Sequence, residues 1–144
     1  MSREHPSSSP PATTLDWEIL GPIVALHRTR EERAEFLGIC ALSLGELVER
    51  LQAAAARGEI VEVGKLAHAV KGSAATIGAS RLAAAAGRLE RAASVAPPAP
   101  GTTDELVQAT RGACALTLRE LSRADTETSQ RLSAAVESRD RGRR

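Results

Sequence analysis

Six apolar residues, Leu37, Cys40, Leu44, Leu47, Leu51 and Ala54, follow one another at intervals of three, four, three, four and three. That alternation keeps them on one stripe of a 3.6-residue helix, and other helices must cover the stripe to take it out of water. Segment 59–77 repeats the spacing with Ile60, Val63, Ala67, Val70, Ala74 and Ile77, and segment 80–95 carries Leu82, Ala86, Leu89 and Ala93. A further seam runs from Leu106 through Thr110, Ala113 and either Leu116 or Thr117 to Leu121. Thr102-x-x-Glu105 reads as the capping box that opens it. Gly58 and Gly78 supply stops after the first two seams, and Pro97-Pro98-Ala99-Pro100-Gly101 separates the last two. No strand-like alternation interrupts them. The expected fold is all-α, an antiparallel four-helix bundle with a short additional N-terminal helix.

That short helix is expected to start near Thr14, with Leu15, Ile19, Ile23 and Leu26 as its apolar side and Gly21-Pro22 kinking or dividing it. Residues 1–13, rich in Ser and Pro, read as a disordered head, and 14–123 as the bundle domain. Beyond Arg123 the pattern weakens. Leu132 and Val136 permit one or two last turns, so 124–144 reads as a polar, basic tail, partly helical or disordered.

Composition narrows the function. A formal net charge of +1 and only two aromatic residues, Trp17 and Phe36, leave neither an electrostatic footprint nor a stacking platform for nucleic acid. The N-terminus has no apolar run resembling a signal peptide, and no apolar stretch approaches the ~20 residues that cross a membrane. A cytoplasmic chain is expected, in which Cys40 and Cys114 act as small buried hydrophobes under reducing conditions. His5 falls in the head. His27 closes the first helix, where a cation near the C-terminus is favourable. Arg28 to Arg33 reads as a solvated turn and helix start with charges of both signs.

His68 stands apart. Counting 100° per residue puts it about 130° from the centre of its own apolar seam, facing solvent. Gly64, Gly72 and Ala75 stack above and below it, and Lys65 and Lys71 flank it. A glycine inside a helix costs about 1 kcal/mol relative to alanine, so two of them sacrifice stability to keep this face bare. A merely solvated face would not need that. The arrangement suits the close approach of another macromolecule, with two ammonium groups to attract an anion. Zinc is poorly served, because the positions three and four residues away hold Lys71, Gly72, Lys65 and Gly64 rather than a second ligand. No hydrolytic triad pattern and no glycine-rich nucleotide loop is visible, and no cofactor is expected. A histidine acting as a nucleophile toward phosphorus remains: a sizeable fraction of imidazole is unprotonated near neutral pH, and neighbouring ammonium groups neutralise phosphoryl oxygens.

The run HAVKGSAATIGA resembles the signature of histidine-containing phosphotransfer (HPt) domains, in which His is followed after two residues by Lys-Gly-Ser and then by a small apolar stretch ending in Leu/Ile-Gly-Ala. His68, Lys71, Gly72, Ser73, Ile77, Gly78 and Ala79 fall on that pattern. Phe36-Leu37 before it, and Arg81-Leu82 through Leu89-Glu90 after it, are also similar, and the likeness extends over about residues 14–121. The resemblance implies a bundle that carries a phosphoryl group between receiver aspartates, or takes it from a hybrid sensor histidine kinase. It implies phosphorylation of His68 at Nε2, assistance from Lys71, and a Gly72 that lets a receiver helix pack close. Gly64, Lys65, Gly72, Ser73 and Ala75 are the expected docking positions. Lys65 lies outside the signature and also reads as a solvated lysine, and Ser73 also reads as a helix-internal hydroxyl bonding back to a carbonyl.

The expected role is therefore a monomeric phosphorelay protein of a two-component pathway, partnered by response-regulator receiver domains and a hybrid kinase. It shows no ATP-binding segment of its own, and the receiver supplies Mg²⁺ and an acidic pocket. The alternative is a non-catalytic helical interaction module that binds a receiver or kinase without using the histidine.

Overall fold

A computed structural model describes residues 15–95 and 101–142, with the backbone alone at 125, 127–136, 139 and 140. The expected disordered head and the Pro97–Pro100 connector lie outside the described residues, as do the side chains of Leu132 and Val136. Five helices make up the described chain: α1 (Trp17–Ala25), α2 (Arg30–Ala56), α3 (Ile60–Thr76), α4 (Ser80–Ser94) and α5 (Thr102–Arg141). No strand occurs among the described residues. In the bundle α3 packs against α2 and α4, and α5 closes the ring by packing against the same two helices. Three-residue turns make α2, α3 and α4 successively antiparallel.

The two turns are built alike. Gly58 and Gly78 adopt φ of 70° and 76°, the left-handed region that favours glycine. In each, the glycine amide and the next amide reach back to the final turn: Gly58 to Ala55 and Glu59 to Ala54, then Gly78 to Ala75 and Ala79 to Ala74. These are Schellman motifs, which satisfy the helix-end carbonyls. At the start of α2, the Thr29 hydroxyl accepts from the Glu32 amide while the Glu32 carboxylate accepts from the Thr29 amide, a full capping box.

The core lies along the expected seams. Leu37, Leu44, Leu51 and Ala54 of α2 are buried, as are Val63, Ala67, Val70 and Ala74 of α3 and Leu82, Ala86 and Leu89 of α4. Val48, Leu66 and Ala85 join them, because a core-facing stripe is wider than one three–four line. Cys40, Leu47 and Ala93 are only half-buried.

Four expectations need correction. In α1 the buried residues are Leu20 and Val24, whereas Ile19 is 43% and Leu26 80% exposed. Leu15 is buried but precedes the cap residue Asp16, so its position carries no helical phase; Pro22 sits inside α1 without dividing it. In α5 the cap position belongs to Gly101, whose carbonyl accepts from the Glu105 amide, and Thr102 is already helical. The α5 seam is Val107, Thr110, Cys114, Thr117, Leu121 and Ala124; Leu106 and Ala113 flank it and Leu116 is exposed. Thr110 and Thr117 tolerate full burial because their hydroxyls donate to the carbonyls of Leu106 and Ala113, at 2.8 and 2.9 Å. Finally, Arg33 is buried, not solvated, and donates to the carbonyls of His27 and Arg28, tying the α1–α2 turn to α2. His27 of that turn stacks on Phe36 of α2, with ring centroids 4.7 Å apart.

Candidate functional site

Val63, Ala67, Val70 and Ala74 pin one side of α3 into the core, which fixes what its other side presents. His68 is on that other side, with its side chain 71% exposed. Its ring is not free to turn. Nδ1 lies 2.6 Å from Glu90 Oε1, on α4, and the second oxygen of the same carboxylate lies 2.7 Å from Lys71 Nζ. Glu90 thus bridges the two chemically distinctive residues of α3 from a neighbouring helix. Lys71 on one side and His68 on the other hold its carboxyl below the ordinary range of a glutamate, the lysine hydrogen bond being the larger cause.

An ionised carboxylate only accepts hydrogen bonds, so the contact with Nδ1 requires the hydrogen on that nitrogen. In the neutral ring the lone pair is then on Nε2, which has no partner among the described residues. An exposed imidazole with an unpartnered in-plane lone pair can act as a nucleophile toward an electrophile arriving from solvent.

The small residues around His68 divide into two groups. A Cβ on Gly72 would meet nothing within 4 Å, and Gly72, Ala75 and Lys65 are exposed. Gly64 instead faces α4, where a Cβ would come within 3.4 Å of Ala93 Cβ. Gly64 and Lys65 also line an open cleft of about 660 Å³ that reaches His68 and Glu90 and has Ile60, Val61 and Ala93 among its walls. Ser73 is turned away from the imidazole. It lines a separate groove of about 320 Å³ with Phe36, Ile39, Cys40 and Thr76. The back-bond to a carbonyl considered for Ser73 is made instead by Thr76, whose hydroxyl donates to the Gly72 carbonyl at 2.9 Å.

Two site residues escaped the sequence reading of His68. Glu90 appeared only within a similar stretch, although it is the single acid of α4, among Arg81, Arg88 and Arg91. Gly87, also on α4, is buried, and a Cβ there would lie 3.4 Å from Lys71 Cδ, beside the lysine stem on its way to Glu90.

Fold and site together define a four-helix bundle that displays one oriented imidazole on its surface. The family model of the Hpt domain matches residues 35–127, well over half of the chain and including His68, Lys71 and Glu90. The chain belongs to the Hpt domain family, whose members serve phosphotransfer in phosphorelays and interact there with receiver domains and kinases. No curated protein and no solved structure matches the chain. Among the described residues no helix is long and apolar enough to cross a membrane.

Proposed function

We propose that this chain is a monomeric, cytoplasmic phosphocarrier that accepts a phosphoryl group on Nε2 of His68 from a receiver aspartate, free or kinase-linked, and passes it to another receiver. The observation that carries this reading is the orientation of the imidazole: exposed, held at Nδ1 by Glu90, and unpartnered at Nε2 among the described residues. The electrophile is an aspartyl phosphate brought by the partner, which also supplies Mg²⁺ and the acidic pocket around it. Lys71 stands one helical turn from His68 and neutralises a phosphoryl oxygen once the group is in place. Gly72 and Ala75 leave the approach open, and Lys65 adds a positive charge at the rim of the cleft.

The test is label transfer from phosphorylated receiver domains of the same genome to the wild-type chain and to His68→Gln. The wild type is expected to take up acid-labile phosphate and the variant none. Melting should move little, because a substitution at so exposed a position changes stability by less than about 0.5 kcal/mol. Retained labelling of the variant would assign the acceptor to another residue. A wild type that binds receivers but never takes up phosphate would leave a docking module in place of a carrier.

A further inference from the structure

The solvent face of α4 carries more positive charge than the helix itself calls for. Arg81, Arg88 and Arg91 are all exposed, and with Ala84 they follow a spacing of three, four and three along one stripe. At 100° per residue the three arginines lie within about 80° of one another, over about 15 Å of helix. None of the three guanidiniums has an ion-pair or hydrogen-bond partner among the described residues. The single acid of α4, Glu90, is already engaged by His68 and Lys71 of α3.

Helix stability does not account for this row. Arg91 in the last turn complements the helix dipole, but Arg81 is the second residue of α4, where a cation opposes the dipole and no acid offsets it. Arg88 and Arg91 are like charges three residues apart, neighbours on the helix surface that repel each other. The row also joins the site around His68. A Cβ on Gly87 would lie 3.4 Å from Lys71 Cδ and 3.5 Å from Arg91 Nη1, so the guanidinium and the lysine stem meet over the same glycine. From there Lys71 leads to Glu90, and Glu90 to His68.

We propose that Arg81, Arg88 and Arg91 form a flank of the receiver-docking surface on α4, and that they select receivers presenting acidic side chains beside the phosphorylated aspartate. A partner that covers His68 from the α4 side meets Arg91, beside Lys71, and then the two arginines behind it. Acidic groups on that partner complement a row that has no carboxylate of its own in the free chain. Exposed charges of this kind are screened by salt. They therefore act on encounter and on the choice of partner, whereas the transfer step draws on Lys71.

This inference rests on the phosphocarrier reading, and binding measured without phosphate separates the two. Unphosphorylated receiver domains of the same genome are titrated against the full chain by calorimetry, and the tightest binder is carried into transfer assays. At about 20 mM salt, Arg88→Glu/Arg91→Glu is expected to bind about tenfold more weakly and to lose the same factor in kcat/KM, with kcat within about twofold. At about 0.5 M salt most of that loss should disappear. Arg88→Gln/Arg91→Gln, which removes charge without reversing it, should fall between, and circular dichroism melts check that α4 stays folded in both. Arg119→Glu/Arg123→Glu makes the same charge change at exposed positions of α5 and should stay near wild type. Replacing the receiver's surface acids by lysine, one at a time, should find one that weakens wild-type binding and is relieved by Arg91→Glu. Unchanged affinity in both α4 variants, an equal loss in the α5 control, or a fall in kcat alone would overturn the inference. So would wild-type binding to phosphatidylserine vesicles that the α4 variants lose while they keep the receiver, which would give the row to a membrane surface. A wild type that binds a receiver but never takes up label overturns the carrier reading and leaves the docking result standing. A wild type that binds no receiver overturns both.

Discussion

At the residue scale, Glu90 and Lys71 form a pair whose two members pull in different directions. Lys71 is held by Glu90 in the resting chain, at 2.7 Å, and must exchange that carboxylate for a phosphoryl oxygen to assist transfer. Lys71→Ala is expected to slow uptake roughly tenfold, less than the 10²–10³ of a buried oxyanion donor because the lysine is 41% exposed. It should also raise the Glu90 carboxyl pKa, since Lys71 is the largest cause lowering it, and a carbonyl-carbon NMR titration of Glu90 reads that directly. Unchanged rates with every receiver would leave Lys71 only its ion pair with Glu90. The sign of the pH effect follows from the same depression. A carboxyl lowered in the folded chain adds stability above its unfolded pKa, and that stability is lost as pH falls through the folded value. Wild type should therefore lose slightly more of its melting temperature on acidification than Glu90→Gln does. His68 was legible in the sequence because periodicity and small neighbours both act within one helix. Glu90 was not, because 22 residues separate the pair and only the α3–α4 crossing brings them together.

At the element scale, Gly64 and Gly72 show how one local pattern can hide two physical causes. Both are a helical turn from His68, and both read as clearance for a partner. Gly72 is bare toward open space, whereas a Cβ on Gly64 would meet Ala93 of α4. Gly72→Ala should raise stability by up to about 1 kcal/mol, the helix-propensity difference, with nothing to clash against. Gly72→Gln should leave melting near wild type and weaken receiver docking and transfer. Gly64→Gln should melt lower than Gly72→Gln, because its Cβ sits against Ala93 rather than in open space. Thermal melts and transfer rates on these three variants test the division, and a Gly72→Gln that melts low would mean that the face is packed rather than open. The seams themselves were readable, since the three–four spacing and the glycine stops are properties of one helix at a time. What the spacing did not fix was phase where a helix begins outside the pattern, as with Leu15 before α1 and Gly101 before α5.

For the whole molecule, α1 closes one end of the bundle. The Asp16 amide donates to the Gly78 carbonyl at 2.7 Å, and the Leu15 amide donates to Glu120 Oε2 on α5 at 3.0 Å. A strap so short thus joins the α3–α4 turn to the last helix, and Leu20 and Val24 are fully buried beneath it. The tightest point is Gly78. It is left-handed at φ 76°, and a Cβ there would come within 2.7 Å of the Asp16 carbonyl oxygen, a backbone atom that cannot swing aside. Gly78→Ala therefore meets two penalties at once, the left-handed conformation and the contact with the strap. Together they are expected to cost about 2–3 kcal/mol, a fall in Tm on the order of 10 °C for a domain of this size. Relief requires α1 to lift, so amides of residues 16–25 should exchange with solvent much faster in the variant while those of α2 and α3 stay protected. His68 is eight residues before the end of α3, about 12 Å along the helix, and its contact with Glu90 lies on the side facing α4. Transfer measured well below the melting temperature should therefore stay near the wild-type rate. If transfer fell while α3 and α4 kept their protection, the strap would be coupled to the imidazole, and α1 would belong to the docking machinery rather than to the frame that supports it.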